Sequence, residues 1–289
     1  MLYRGFWVWG IGIVVVLGSF LTFVAAGWPG SANGCIKPTT DHPPKANTCY
    51  CEAYDKNDII HNKGGVRQPV NTWFNLYSIL TALLVAIFVY VDRKNGETSS
   101  PIRTDSAYPD IYIFAVLFLG LGSMWFHGSL KEWGGVFDML SMFVYAAFLV
   151  FYSVRRLWAI DWIFWVFYPL TVIGWTIWGE VWQWEYKSLI LILILVAAYL
   201  FFEVWMWIRT GQVMQGKGLT MFLWIAAVSC IIIATVFWAL SQTGGPLCDP
   251  KSAFQPHGII WHPFAGFMAV FLYFYWREDE SAASDSATT

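Results

Sequence analysis

The chain has 289 residues, of which 57% are hydrophobic and only 12% charged, with 19 Trp, 14 Tyr and 23 Phe. Soluble domains carry about 25% charged residues, so this composition excludes a disordered chain, a coiled coil and an ordinary soluble enzyme. With 17 Lys and Arg against 19 Asp and Glu, no basic field exists to neutralise phosphates, which argues against a nucleic-acid binder and leaves an integral membrane protein.

Apolar stretches follow one another near 7–26, 71–91, 110–128, 134–154, 160–178, 187–208, 219–240 and 257–276. Each is about 20 residues, the length that crosses a ~30 Å hydrocarbon layer as a helix. The runs are too long for membrane strands and do not alternate, so the fold class is all-α: a polytopic transmembrane helix bundle. Trp158, Trp162, Trp182, Trp184 and Tyr186 mark span ends, as aromatic belts do. Segment 1–27 has a basic start at Arg4 and a signal-like "VAAG" at 24–27. Its apolar run exceeds the ~7–15 residues of a signal h-region, so a retained anchor helix is expected over a cleaved signal peptide. Segment 28–69 is a polar loop with cysteines, 70–277 is the bundle with no polar linker dividing it, and 278–289 is an acidic, small-residue tail expected to be disordered.

A cytoplasmic N-terminus puts Arg93, Lys94, Arg103, Arg155, Arg156, Arg209, Lys217 and Arg277 on the inner side with Arg4, and the C-terminus with them. The long outer loop nearly balances this excess, so the positive-inside signal is weak. The cysteines add to it. Cys35, Cys49, Cys51 and Cys248 all fall on the outer side, which suits disulfides in an oxidising lumen or periplasm. Cys49 and Cys51 are too close in sequence to bond each other easily, so pairing to Cys35 and Cys248 is expected, among three connectivities. Cys230 lies within a span and reads as packing.

His42 and His61 are loop residues. His127 ends the third span in "GSMWFHGSL", and His257 and His262 open the last in "PHGIIWHPF", on the same side of the membrane. Ionisable groups at membrane depth point to function, and three histidines with an open fourth position are the ligand set of a catalytic zinc. Ser123 is four residues before His127, on the same helix face. Asp138 opens the fourth span after the turn "GSLKEWGG", which returns it to the level of His127. A carboxylate there could take a proton from a zinc-activated water, and Ser123 could donate to a developing oxyanion. Asp138 also reads as a first-turn acid favouring the helix dipole. Glu180, Glu185 and Glu203 read as snorkelling or paired structural acids. His257 and His262 are five apart, about 140° around a regular helix, and Pro263 has no N–H for the carbonyl of Ile259. A π-type bulge or an unwound turn over 257–262 is therefore expected.

"NTWFNL" at 71–76, "GLGSMWFH" with Asp138 eleven residues after its histidine, and "CDPKSAFQPHGIIWH" resemble the alkaline ceramidases and their wider superfamily of membrane hydrolases. The resemblance runs from about Cys49 to Arg277. It implies seven core helices from 71 onward, with the 7–26 helix an addition. It implies a zinc on His127, His257 and His262, assisted by Asp138 and Ser123, and hydrolysis of the ceramide amide to a sphingoid base and a fatty acid. The chain departs from the family in two respects. The family spaces its last two histidines four apart. Animal members also bind calcium through acids before the NT motif, where this chain has Cys49 and Gln68 but keeps Glu52. Glu52, Asp55 and Asn57, with Asp58 beside them, are the oxygens a calcium ion would use.

Other readings stay open on the sequence. A zinc-dependent lipid esterase or phospholipase would use the same centre. A seven-helix, zinc-containing receptor would carry it without turnover. A proton-coupled transporter is disfavoured, because the histidines and Asp138 gather at one face and no internal repeat is visible. The partners expected are the bilayer and a ceramide-like lipid.

Overall fold

The computed structural model describes residues 4–32, 50–55, 58–59, 61–181, 187–210 and 218–278. The protein is all-helical, with no strands among the described residues. In chain order the helices are α1 (Arg4–Ala26), α2 (Pro69–Lys94), α3 (Tyr108–Ser129), α4 (Glu132–Trp158), α5 (Asp161–Val181), α6 (Lys187–Thr210), α7 (Gly218–Leu240) and α8 (His257–Arg277). Helices α2 to α8 are each long and apolar enough to cross a membrane, and α1 is apolar over the shorter stretch Gly10–Ala26. Exposed large apolar side chains such as Val14, Leu80, Ile173, Ile208 and Phe222 would be costly in water and suit contact with lipid. This is a multi-pass membrane protein, with seven helices long enough to span and one shorter apolar helix among the described residues. The predicted belt residues Trp158 and Trp162 are exposed, while 182–186 lie outside the described residues.

Local sequence sets the breaks. Pro69 opens α2, where a missing N–H costs nothing, and the helix passes through a 3₁₀ turn at Phe74–Leu76. Helix α3 ends at Leu130, which has a left-handed φ of 53° and gives its N–H to Phe126 O at 2.7 Å. The chain then reverses into α4. A Cβ on Gly134 would stand 2.8 Å from Ser129 Oγ and 3.0 Å from Phe126 Cα, so only glycine lets α4 return this close to α3. Helix α4 begins at Glu132, two residues before the predicted start. Asp138 thus lies in the second turn, Glu132 is the first-turn acid, and the dipole reading of Asp138 falls away.

Packing divides the protein into two compact units interleaved along the chain. The first comprises Met1–Leu80, Gly120–Asp138 and Ser229–Phe267. Its core holds the rings of Phe20, Phe23, Trp28, Trp125 and Trp133, in edge-on and stacked contacts at 5.2–6.3 Å, which gain from both area and quadrupole geometry. The end of α1 is tied in by Trp28 Nε1–H to Gly65 O at 2.7 Å and Gly65 N–H to Val24 O at 2.7 Å. The buried Lys131 ammonium donates to Gly30 O, Ile59 O and Asn62 Oδ1 at 2.9, 3.2 and 2.5 Å. This built-in cation satisfies carbonyls that the loop could not pair otherwise.

The second unit comprises Thr81–Leu119, Met139–Val228 and Met268–Thr289. Tyr112, Phe148, Tyr152, Phe164 and Trp276 form its aromatic centre. Glu203, fully buried, accepts from Ser153 Oγ at 2.5 Å, Arg156 at 2.8 Å and the Tyr275 hydroxyl at 2.6 Å. The expectation of a paired structural acid holds there. The side chains of Glu180 and Glu185 lie outside those described. Asp92 is likewise clamped by Arg103 at 3.1 Å and Arg277 at 2.8 Å.

Candidate metal centre

The centre is built entirely within the first unit. Helix α3 ends with Ser123 and His127 one turn apart, both buried. Helix α8 opens with a π turn over His257–Trp261, the bulge that Pro263 and the five-residue spacing predict. A π turn holds one more residue than an α turn, so His257 and His262 come to the same side. Gly258 lets this turn press onto the start of α2, since a Cβ there would lie 3.0 Å from Asn71 Oδ1, Val70 C and Val70 Cγ1. Gln255 braces the approach, donating from Nε2 to Asp249 O at 2.9 Å and Ser252 O at 2.8 Å.

His127, His257 and His262 are all buried, and one ring nitrogen from each lies within 4.8 Å of the others. Their ring centroids stand 5.0, 5.7 and 4.9 Å apart. Gln68 settles the state of His127. Its Nε2 donates to Glu52 O at 2.8 Å, so its Oε1 faces His127 Nδ1 at 2.7 Å. A carbonyl oxygen only accepts, so Nδ1 carries the proton and His127 Nε2 is left bare. That lone pair accepts from His257 Nε2–H, 3.2 Å away. His257 Nδ1 and both ring nitrogens of His262 have no hydrogen-bond partner. Buried polar atoms are normally paired. Three buried imidazoles turned toward one point, with three of their ring nitrogens unpaired, make sense as ligands for a cation. Nitrogens around a tetrahedral zinc with ~2.0–2.1 Å bonds are about 3.3 Å apart, close to the 3.2 Å already present.

Ser123 faces the Asp138 carboxylate, so the short α3–α4 reversal brings the predicted serine and aspartate together. Glu52 has a different task from the calcium ligation expected of it. Its two carboxylate oxygens accept the N–H groups of Val70 and Asn71, each at 2.8 Å, and so cap the N-terminus of α2. Burial pushes its carboxyl above the ordinary value even against these two bonds. Asp55 is exposed, Asn57 lies outside the described residues, and the three histidines are the one metal-ligand group found among the described residues. Cys51 bonds Cys248, one of the expected pairings, Cys230 is free and buried, and Cys35 and Cys49 lie outside the described residues.

Two residues join the site that motif reading did not assign to it. Gln68 orients His127 across 59 positions of sequence. Tyr50 packs on the histidines, its ring tilted against His257 at 4.8 Å and edge-on to His127 at 5.5 Å. Burial and the charge of Asp138 hold its phenol above the ordinary pKa, so it keeps its proton. The only trace of either in the sequence is its place, Gln68 just before Pro69 and Tyr50 between two cysteines.

Fold and site together define a polytopic helical membrane protein with a buried three-histidine group fit to hold a metal. No family model matches the chain, and no curated protein matches it.

Proposed function

We propose that this protein is a zinc-dependent integral-membrane amidase. Its substrate is ceramide or a related N-acyl lipid, cleaved to a sphingoid base and a fatty acid. The observation that carries the reading is the buried histidine group, with ring nitrogens of His127 and His257 3.2 Å apart and with Ser123 one helical turn from His127. Three imidazoles favour zinc over the hard cations, which prefer oxygen. Zinc at this site supplies Lewis acidity, which acidifies water and polarises a carbonyl.

The chain's own residues supply the rest. Gln68 fixes the ring of His127 and its tautomer, as a partner behind a metal ligand does. Asp138 takes a proton from water and returns it to the departing amine. Ser123 holds the Asp138 carboxylate in place through its hydroxyl. Water adds to the carbonyl carbon, the C–N bond breaks, and the amine leaves carrying the proton. The spanning helices give a two-chain lipid an apolar surround for its tails. The Cys51–Cys248 bond, in the same unit as the histidines, suits an oxidising compartment. It supports a site facing a lumen or periplasm, with both termini cytoplasmic.

The test is hydrolysis of a labelled ceramide by the purified protein in detergent, beside Asp138→Asn and a matched O-acyl lipid, with zinc content measured. Turnover of ceramide that disappears in Asp138→Asn, with zinc retained, is the expected result. A zinc-loaded protein that cleaves only the ester is an esterase. One that cleaves neither is no hydrolase of these lipids.

A further inference from the structure

An oxyanion forming at the histidine group needs a hydrogen-bond donor beside the metal. Tyr50 is placed for it. Its ring is held on three sides, 4.8 Å from His257, 5.5 Å from His127 and 6.0 Å edge-on from Phe126. The charge that acts on its phenol is that of Asp138. One side chain thus packs on two of the would-be metal ligands and lies in the field of the would-be base.

The backbone beneath it is strained. Tyr50 and Cys51 are consecutive left-handed residues, with φ of 51° and 69°, a conformation that bulky side chains disfavour. Such strain persists only where the surroundings over-determine it, and it clusters at functional sites. Here the surroundings are the Cys51–Cys248 bond, Cys51 N–H to Thr243 Oγ1 at 3.3 Å, Ala53 N–H to Pro250 O at 3.2 Å, and the Glu52 carboxylate on α2. A relaxed backbone at 50–51 would turn the phenol away. The tethers hold it over the histidines.

We propose that Tyr50 is a further catalytic residue, whose phenol donates a hydrogen bond to the carbonyl oxygen of the scissile bond as negative charge develops on it. The proposal rests on the hydrolase reading above. The phenol and the metal would act on the same oxygen, and Asp138 would be left to the water.

Tyr50→Phe removes only the hydroxyl and keeps the ring. Two readouts accompany it: ceramide turnover, and the affinity of zinc-loaded protein for palmitoyl hydroxamate, whose carbonyl oxygen stands in for the reacting one. Removal of one oxyanion donor lowers kcat by about 10²–10³-fold, and hydroxamate affinity should fall about tenfold or more. Zinc content should stay at the wild-type level. A Tyr50→Phe protein within threefold of wild type in both readouts overturns the proposal. So does loss of zinc, which would make Tyr50 structural. If wild type binds hydroxamate but cleaves no lipid, a tenfold weaker Tyr50→Phe complex still supports Tyr50 as the oxygen donor, and the lipid amidase reading alone fails.

Discussion

Gln68→Leu tests the arrangement behind the metal ligands. Gln68 makes two buried hydrogen bonds, with His127 Nδ1 at 2.7 Å and Glu52 O at 2.8 Å, and both partners are almost fully buried. Leucine fills similar space but leaves an imidazole N–H and a carbonyl unpaired. Each such orphan costs about 1–3 kcal/mol. The metal-free protein should therefore lose about 2–6 kcal/mol, a substantial part of ordinary stability. The His127 ring is then free to turn or change tautomer. Losing such a partner lowers metal affinity about 10–100-fold, or about 1.4–2.7 kcal/mol. Gln68→Glu keeps an acceptor for Nδ1 and adds charge behind the ring, so its zinc affinity should equal or exceed wild type, although the bond to Glu52 O is lost. Competition with a chromogenic chelator measures the affinities, and thermal unfolding of the chelated protein measures the stability. Zinc affinity of Gln68→Leu within threefold of wild type would refute the role given to Gln68.

Gly258→Ala should destabilise by about 1–3 kcal/mol, as overpacking does, because its Cβ meets backbone of α2 at 3.0 Å. Zinc stoichiometry should fall with it, and an alanine variant with wild-type melting and metal content would show that the π turn is not pressed onto α2. Glu203→Ala leaves the buried Arg156 without its carboxylate and should cost about 3–5 kcal/mol, whereas Arg156→Met with Glu203→Leu should recover most of it. Equal melting temperatures for the single and double variants would contradict this. Asp58 is held below its usual carboxyl pKa of 3.8, chiefly by its hydrogen bond from Lys63 and then by the charges of Lys63 and Arg67. Its folded pKa is depressed, so its contribution is present above 3.8 and lost as pH falls through the folded value. The melting difference between wild type and Asp58→Asn should accordingly vanish on acidification below about pH 4, and a gap that persists to pH 2 would point to another cause.

Much of the centre is legible in the chain because its parts are local. Ser123 and His127 share a face through four-residue spacing, and the α3–α4 turn is short enough that Asp138 must come back near them. The five-residue gap between His257 and His262, closed by Pro263, forces a departure from regular helix, and the π turn at His257–Trp261 supplies it. What is illegible depends on backbone conformations and long-range partners. Tyr50 reaches the histidines only because two non-glycine residues adopt left-handed φ. Gln68 finds His127 only after α2 and α3 pack, and its neighbours hint at nothing. Glu52 looks like a cation ligand among Asp55 and Asp58, but the two free N–H groups at the start of α2 claim its oxygens.

The sequence by itself determines that this is a multi-pass helical membrane protein, because an apolar run of about 20 residues has one stable fate in a bilayer: a helix that pairs its own backbone groups. It also marks which histidines are worth watching. Only tertiary structure decides that His127 Nε2 carries no proton, that Cys51 takes Cys248, that Ser123 meets Asp138, and that Tyr50 covers the group. Each of these is set by where a hydrogen-bonding or bonding partner stands across tens to hundreds of residues. No periodicity or spacing within a single helix carries that information.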